Sequence, residues 1–275
     1  MKDNFEKNIR NWKIPALLSK EEAWQKLNAR IEGKETKVIP IFTQRHVWVS
    51  LAASFALLVG MLFFINNDTT YTIEAKYGQK EVVALPDGSI ATLNSGSSLS
   101  FSKDDFKNER RIELKGEAFF EVEKGSTFSV KTKQGTVTVL GTSFNVCDRN
   151  DFYRVSCASG KVKVEQGVSV QFLTKGQKTE LLQNGLSNPI ECDVASIDDW
   201  FDQDLYHFEN MNLEDVFSEL ERQFNVKIGS KDISRELVNA DVSLSNVETA
   251  LDIVCTTVGL EYKMIKTGHF MINKK

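Results

Sequence analysis

Histidine is scarce in this chain, with three in 275 residues (His46, His207 and His269), and none is spaced from another as a metal pair would be. Cysteine and proline number four each. Cys147, Cys157, Cys192 and Cys255 form no Cys-x-x-Cys, which excludes a zinc-ribbon or thioredoxin-type site. A Cys147–Cys157 bridge across a hairpin is one conceivable pairing. A turn near Asn150-Asp151 does not set those two opposite each other, so buried free thiols are the expectation. No serine or cysteine stands in a nucleophile elbow. The small-residue string Asn94–Ser98 has no lysine and no following helix, so it is not a phosphate loop. Glu117 and Glu121 alternate on one strand face, which suits a solvated or hydrogen-bonded role better than paired-carboxylate catalysis. The chain therefore reads as a non-enzyme, with no catalytic, cofactor-binding or metal-binding residue assigned.

Charge is missing altogether from Val47 to Ile65, VWVSLAASFALLVGMLFFI. As a helix these 19 residues span roughly 28 Å at ~1.5 Å each, close to the ~30 Å hydrocarbon core of a bilayer. A buried core helix would keep a polar face, and a cleavable signal would be shorter and nearer the start. The run is expected to be a single transmembrane helix. Residues 1–46 carry ten Lys/Arg against six Asp/Glu, a net of +4 within a chain of net −4, so the remainder is −8. Basic Arg30, Lys34, Lys37 and Arg45 before the run place the N-terminus in the cytoplasm. Everything after Asn66 then lies across the membrane, in the periplasm if the cell is a Gram-negative bacterium. An acidic outer part argues against direct nucleic-acid contact, which needs a basic face.

Before the apolar run, two amphipathic stretches are legible. In the first, Asp3 and Glu6 can form a capping box ahead of Phe5, Ile9 and Trp12, and Pro15 interrupts it. In the second, Ser19 can cap with Glu22 answering, Trp24, Leu27 and Ile31 line one face, and Gly33 ends the helix. A segment this short cannot bury both stripes by itself. Two readings stand side by side: a juxtamembrane helix lying on lipid headgroups, or a stripe that folds onto a cytoplasmic partner.

After a polar linker the pattern changes to period two. Glu81–Leu85 runs into Pro86-Asp87-Gly88 and then Ile90–Asn94, the composition of a hairpin turn between apolar strands. Short strands follow at 111–114, 118–122, 127–131, 136–140, 143–147, 154–157, 161–164, 168–172 and 178–182, punctuated by glycines. A run of strands without helices means a roll, a solenoid-like β domain or a sandwich. The phrases LPDGSIATLNSGSSLSF, RRIELKGEAFFEVEKGSTFSVKT and GTVTVLGTSFNV, with SGKVKV and KGQK, resemble the FecR domain. The motifs LPDG, LN, GEAFFEV and LGTSFNV occur in order within residues 79–183. Thr127-Phe128 and Lys175-Gly176 stand where the family commonly has Pro-Phe and Pro-Gly.

From about Ala195 helical periodicity returns. A strand at 205–208 leads to Asn212 as a cap and to Leu213, Val216, Phe217, Leu220 and Phe224 on one helical face. Strands at 225–228 and 240–244 follow. Ser245 with Glu248 makes a capping box for a helix buried through Val247, Ala250, Leu251, Val254 and Val258. Strands at 260–265 and 269–272 complete a βαβ–βαββ order. This small α+β unit resembles the C-terminal domain attached to FecR domains in Bacteroidetes-type proteins, and the STN domain.

The expected organisation is a cytoplasmic sigma-factor-binding segment (1–46), a transmembrane helix (47–65), a linker (66–78), a FecR-like β domain (79–183), a second linker (184–199) and an STN-like α+β domain (200–275). The resemblance implies an inner-membrane anti-sigma factor. Its cytoplasmic segment would bind an extracytoplasmic-function sigma factor through Trp12, Trp24, Leu27 and Ile31. Its outer part would receive a signal from the STN domain of a TonB-dependent outer-membrane receptor. Membrane proteases would then release the sigma factor by stepwise cleavage. The sheet edge expected to meet the receptor is the final strand, His269, Phe270, Met271 and Ile272. Besides the lipid bilayer, these are the partners expected. The family commonly has a longer cytoplasmic region than the 46 residues here. The alternative is a membrane-anchored periplasmic glycan-binding β domain, which would need exposed aromatics; Phe101, Phe106, Phe119, Phe120, Phe128 and Phe144 fit core positions better, and the middle domain has no tryptophan.

Overall fold

Strict alternation of apolar and polar residues builds the middle of the molecule. The computed structural model describes residues 19–32, 44–65, 70–103, 106, 109–150, 152–230 and 236–275. The chain divides into two compact units, residues 1–67 and 68–275. The first contains α1 (Lys20–Glu32) and α2 (Gln44–Ile65).

The second unit begins with fourteen strands of one sheet. They are β1 (Thr70–Glu74), β2 (Glu81–Ala84), β3 (Ile90–Leu93), β4 (Ser98–Ser102), β5 (Arg110–Glu121), β6 (Phe128–Lys131) and β7 (Thr136–Val139). β8 (Ser143–Arg149), β9 (Phe152–Ser159), β10 (Lys161–Gln166), β11 (Ser169–Thr174), β12 (Gln177–Leu182), β13 (Gly185–Leu186) and β14 (Ile190–Glu191) complete them. The segment expected as a linker at 66–78 thus holds β1, antiparallel to β4. The second expected linker, 184–199, holds β13, β14 and a 3-10 turn at Ala195–Ile197.

Two strands expected at 111–114 and 118–122 are one, β5, and it organises the domain. Its first half pairs with β4 and β6, its second with β3 and β8. The change of neighbours falls at Gly116, whose φ is 98°, and a Cβ there would lie 2.6 Å from Ser97 Oγ. Only glycine fits that bend without strain. The sheet so folded is barrel-like and encloses Leu93, Leu99, Ile112, Leu114, Ala118, Phe120, Phe128, Val146 and Val155. The five expected core phenylalanines besides Phe119 are buried in this core.

The remainder is the expected βαβ–βαββ unit. It comprises a short helix α3 (Asp199–Asp202), β15 (Leu205–Asn212), α4 (Leu213–Phe224), β16 (Lys227–Ser230), β17 (Leu237–Ser243), α5 (Val247–Thr257), β18 (Leu260–Lys266) and β19 (His269–Lys274). β15 pairs with β17, and β16–β19–β18 form a three-stranded sheet. α4 packs on β15 and β16 and α5 on β17 and β18, so both helices sit between the two sheets. The face of α4 behaves as its spacing requires: Leu213, Val216, Phe217 and Leu220 are buried. Each such side chain contributes roughly 1.5–3 kcal/mol by leaving water. Asn225, at φ 51°, closes the helix in the left-handed conformation that asparagine tolerates. The cap of α5 is Asn246 rather than the expected Ser245: its side chain accepts from the Glu248 and Thr249 amides.

Candidate interaction surfaces and the polar seam

The expected capping box opens α1. The Ser19 amide donates to Glu22 Oε2 at 3.1 Å, and the Glu22 amide donates to Ser19 Oγ at 3.3 Å. With the first turn fixed, Trp24, Leu27 and Ile31 fall on one side, as i, i+3 and i+7 must. They are 58%, 49% and 64% exposed, and α1 has no buried residue. The stripe exists, and no described residue of its own unit covers it. Trp12, with the first amphipathic stretch, lies outside the described residues. Side chains of α2 are described over residues 48–61, all exposed. Among the described residues no helix is long and apolar enough to cross a membrane.

The final strand, expected to be a sheet edge, is not one. His269, Phe270, Met271 and Ile272 belong to β19, the central strand of its sheet. β16 runs parallel along one side of it, Ile228 opposite Phe270, and β18 antiparallel along the other, Tyr262 opposite Ile272. Both rows of backbone groups on β19 are thereby used, and Phe270 and Ile272 are buried. The open edges of this sheet are β16 and β18. β18 is the longer, and it exposes Met264 and Ile265.

Between the β domain and the α+β unit lies a buried polar seam, and the motif residues of the β domain build it. Glu117, from GEAFFEV, is 3% exposed. Its carboxylate accepts from Asn94 Nδ2 (2.8 Å, the Asn of LN), Asn145 Nδ2 (2.9 Å, the Asn of LGTSFNV) and Tyr206 Oη (3.1 Å). Arg149 Nε lies 3.1 Å from Glu219 Oε2 on α4 and 3.8 Å from Glu117 Oε2. Arg149 Nη2 donates to the Ser95 carbonyl at 2.9 Å. Glu219 also accepts from Arg222 (2.8 Å) and from Gln223 Nε2 (2.7 Å), and Gln223 reaches back to Asn94 Oδ1 (2.7 Å). Burial alone would raise the Glu219 pKa, yet Arg149 and Arg222 hold it below the usual carboxylate range. Burial, with the negative field of Glu117 and Glu219, pushes the Tyr206 phenol well up and keeps it a donor. The fourth motif, LPDG, lies away from the seam: its Asp87 pairs with buried Arg110 at 2.8 Å within the β domain.

Apolar contact completes the seam. β5 alternates, so Ala118 and Phe120 face the β-domain core while Phe119 joins the other core and meets Phe201 with ring centroids 5.3 Å apart. Arg154 and Lys178 on the sheet meet Glu209 of β15, which sits beside a bulge in that strand. Sequence reasoning left Glu117 either a solvated or a hydrogen-bonded role, and did not single out Arg149, Glu219 or Tyr206. The available signal was a charged or amide side chain inside otherwise apolar strand motifs.

The remaining chemistry-bearing residues are structural. His207 is held between Asp241 (Nδ1, 2.7 Å) and Asp199 (Nε2, 2.9 Å); burial works against its charge, but the two carboxylates win and raise its pKa. The cysteines are free thiols; Cys147, Cys157 and Cys255 are buried as expected, and Cys192 is only half-buried. Cys147 pairs with Arg154 and Cys157 with Phe144, so the two are not opposite. Burial raises the Cys157 thiol to about 11. Among the described residues no three His, Cys, Asp or Glu side chains gather as metal ligands.

Residues 71–163 match the family model described as FecR protein, and residues 205–272 match FecR, C-terminal. Two crystal structures of a protein assigned as an anti-sigma factor from Parabacteroides distasonis ATCC 8503, at 2.50 and 1.65 Å resolution, are similar. Each is 26% identical with a TM-score of 0.69; they cover 75% and 74% of this chain and 99% of their own. No curated protein shows a significant match.

Proposed function

This chain belongs to the FecR family, and from that premise we propose that it is a sigma regulator, an anti-sigma factor that holds an extracytoplasmic-function sigma factor on its N-terminal segment. The observation that carries this reading is the uncovered stripe of α1: Trp24, Leu27 and Ile31 sit on a capped helix with no buried residue. A capped amphipathic helix with no core of its own to enter is the form of a helix-in-groove ligand. Trp12 adds a second anchor on the same N-terminal side. The similar Parabacteroides protein supports the assignment through its own designation.

The finer reading follows from charge and connectivity. Residues 47–65 insert as a single span of the bacterial inner membrane, with the basic segment inside and residues 68–275 in the periplasm. The outer part meets the STN domain of a TonB-dependent receptor. β18, rather than β19, offers the backbone groups for strand addition. One helix conveys little conformational change, so release proceeds by stepwise proteolysis ending within the span.

The test is co-purification of the full chain with candidate sigma factors from membranes. Capture is expected for the native chain and at least tenfold loss for Trp24→Ala or Leu27→Ala, a hot-spot effect. Capture that ignores both substitutions sinks the α1 assignment. Reporter fusions that put Met1 and Lys275 on one side of the bilayer sink the topology.

A further inference from the structure

The outer face of the sheet running β1–β4–β5–β6–β7–β10–β11 continues without interruption from the point where the chain arrives from α2. Registers trace one outward row from Thr72 on β1 through Glu113 and Thr136 to Val170 on β11. The same registers put Thr70, Arg110, Val139, Lys161 and Thr174 at one rim of the sheet. At that rim lies a groove of about 640 Å³ with Lys124, Lys161, Lys163, Leu140 and Phe172 in its lining and no carboxylate among its lining residues. Leu140 and Phe172 are 63% and 60% exposed. Glu123 and Glu165 flank it, and Glu165 is engaged by Lys163 at 2.7 Å. Lys103, just past the end of β4, stacks over exposed Tyr71 at 5.6 Å.

Exposed aromatic and aliphatic side chains ringed by lysines are the composition of a membrane-interface belt, where apolar bodies enter the headgroup layer and ammonium groups meet phosphates. Chain length limits the choice of occupant. Four residues separate Ile65 from Thr70, a stretch that spans at most about 18 Å when fully extended. A rim on so short a tether meets the bilayer holding the tether more often than any diffusing partner. We infer that this rim of the β domain, centred on Leu140, Phe172, Lys124 and Lys161, rests on anionic phospholipid headgroups of the bilayer that anchors α2. The inference rests on the membrane-span reading of residues 47–65. Its consequence is orientational: a domain docked by this lysine-lined groove holds a fixed face to the bilayer.

The test is lysine acetylation footprinting of the full chain in nanodiscs of phosphatidylcholine alone or with phosphatidylglycerol. With phosphatidylglycerol, Lys124 and Lys161 are expected to label several-fold more slowly, while Lys263 and Lys266 on β18 are unchanged. Phe172→Glu, an outward substitution, is expected to restore labelling while the buried Lys178 stays protected, showing the fold intact. Equal labelling in both lipids, with the chain co-eluting with the discs, overturns the inference alone. A chain that does not co-elute with discs overturns the membrane-span reading and this inference with it. Protection that follows the number of chains per disc rather than the lipid assigns the face to a second copy and also overturns it.

Discussion

α1 and α4 are amphipathic helices of nearly equal length, thirteen and twelve residues, and their apolar side chains recur at the same helical spacing. Their fates differ. On α4 the stripe fills the core between two small sheets, with Val216 and Leu220 fully buried. On α1 the stripe meets no described residue of its own unit. The caps differ in the opposite sense: α1 has a reciprocal capping box, while Asn212 at the start of α4 makes no side-chain cap bond. α4 derives its stability from tertiary burial and does without a cap; α1 has no burial and relies on local bonds. A stripe in a sequence therefore announces that something will cover it, and only the fold reveals whether that something is the same molecule.

The largest expected effect tests whether α4 is also the lock between the domains. Arg149→Ala leaves Glu219 and Glu117 buried without their shared cation, and removal of one partner of a buried pair costs about 3–5 kcal/mol. Chemical denaturation of the variant is expected to show that loss, or to split into two transitions as the α+β unit separates from the β domain. A single transition at an unchanged midpoint would mean that the seam is not holding the two together.

Next in size is the direct pair. Leu220→Ala on α4 opens a core cavity and is expected to cost about 2–5 kcal/mol. Leu27→Ala on α1 is expected to change unfolding by no more than about 0.5 kcal/mol, the usual range of an exposed position. On the proposed function its effect is expected in sigma-factor capture instead. If Leu27→Ala lowers the unfolding midpoint as Leu220→Ala does, the α1 stripe is a core face after all and the contrast between the helices disappears.

A smaller effect belongs to His207, which fastens β15 to β17 through Asp241 and to α3 through Asp199. Its folded pKa is raised, so the stability it contributes is fully present below the unfolded value of about 6.5 and is lost as pH rises through the folded value. Unfolding midpoints of the native chain are expected to fall as pH climbs from slightly acidic to alkaline through that window. His207→Asn is expected to flatten the slope. An equal slope in the variant would assign the pH dependence to other groups.

How far these features could be read in advance depends on the kind of interaction. Alternation and the Pro86-Asp87-Gly88 turn are local, and they marked β2 and β3. Gly116 looked like a strand break because glycine punctuates; here it lets one strand bend and pass between two sets of neighbours. β1 was taken for linker because Thr70–Glu74 buries no residue, its burial pattern being mostly exposed, and pairing with β4 is invisible to periodicity. Two adjacent residues, Ser245 and Asn246, could each cap α5, and only backbone geometry chose Asn246. The last strand was taken for an edge because it is last, but parallel strands joined through a helix are paired at a distance, and β16 covers β19. The polar seam was barely visible. Glu117 drew notice as a strand carboxylate, but that Asn94 and Asn145 share that carboxylate, and that Arg149 and Tyr206 face it, depends on register and on docking of the second domain.

The smallest effect sharpens the comparison most, because it separates a helix that is folded beforehand from one that folds on its partner. Ser19→Ala removes the acceptor for the Glu22 amide, a loss of about 1 kcal/mol of helix stability. Thermal unfolding of residues 68–275 is expected not to move. Should α1 order itself only when the sigma factor closes on it, the whole cost falls on binding, and affinity is expected to drop roughly fivefold. Should α1 already be fully helical when free, the cap has excess stability to draw on, and affinity changes far less than fivefold while helical content by circular dichroism holds. Titration of the native and Ser19→Ala chains with the captured sigma factor, beside their circular dichroism, distinguishes the two. A cap loss felt in binding but not in unfolding would place α1 opposite α4 on energetic grounds as well as structural ones: one helix stabilised by the molecule it belongs to, the other by the molecule it is made to meet.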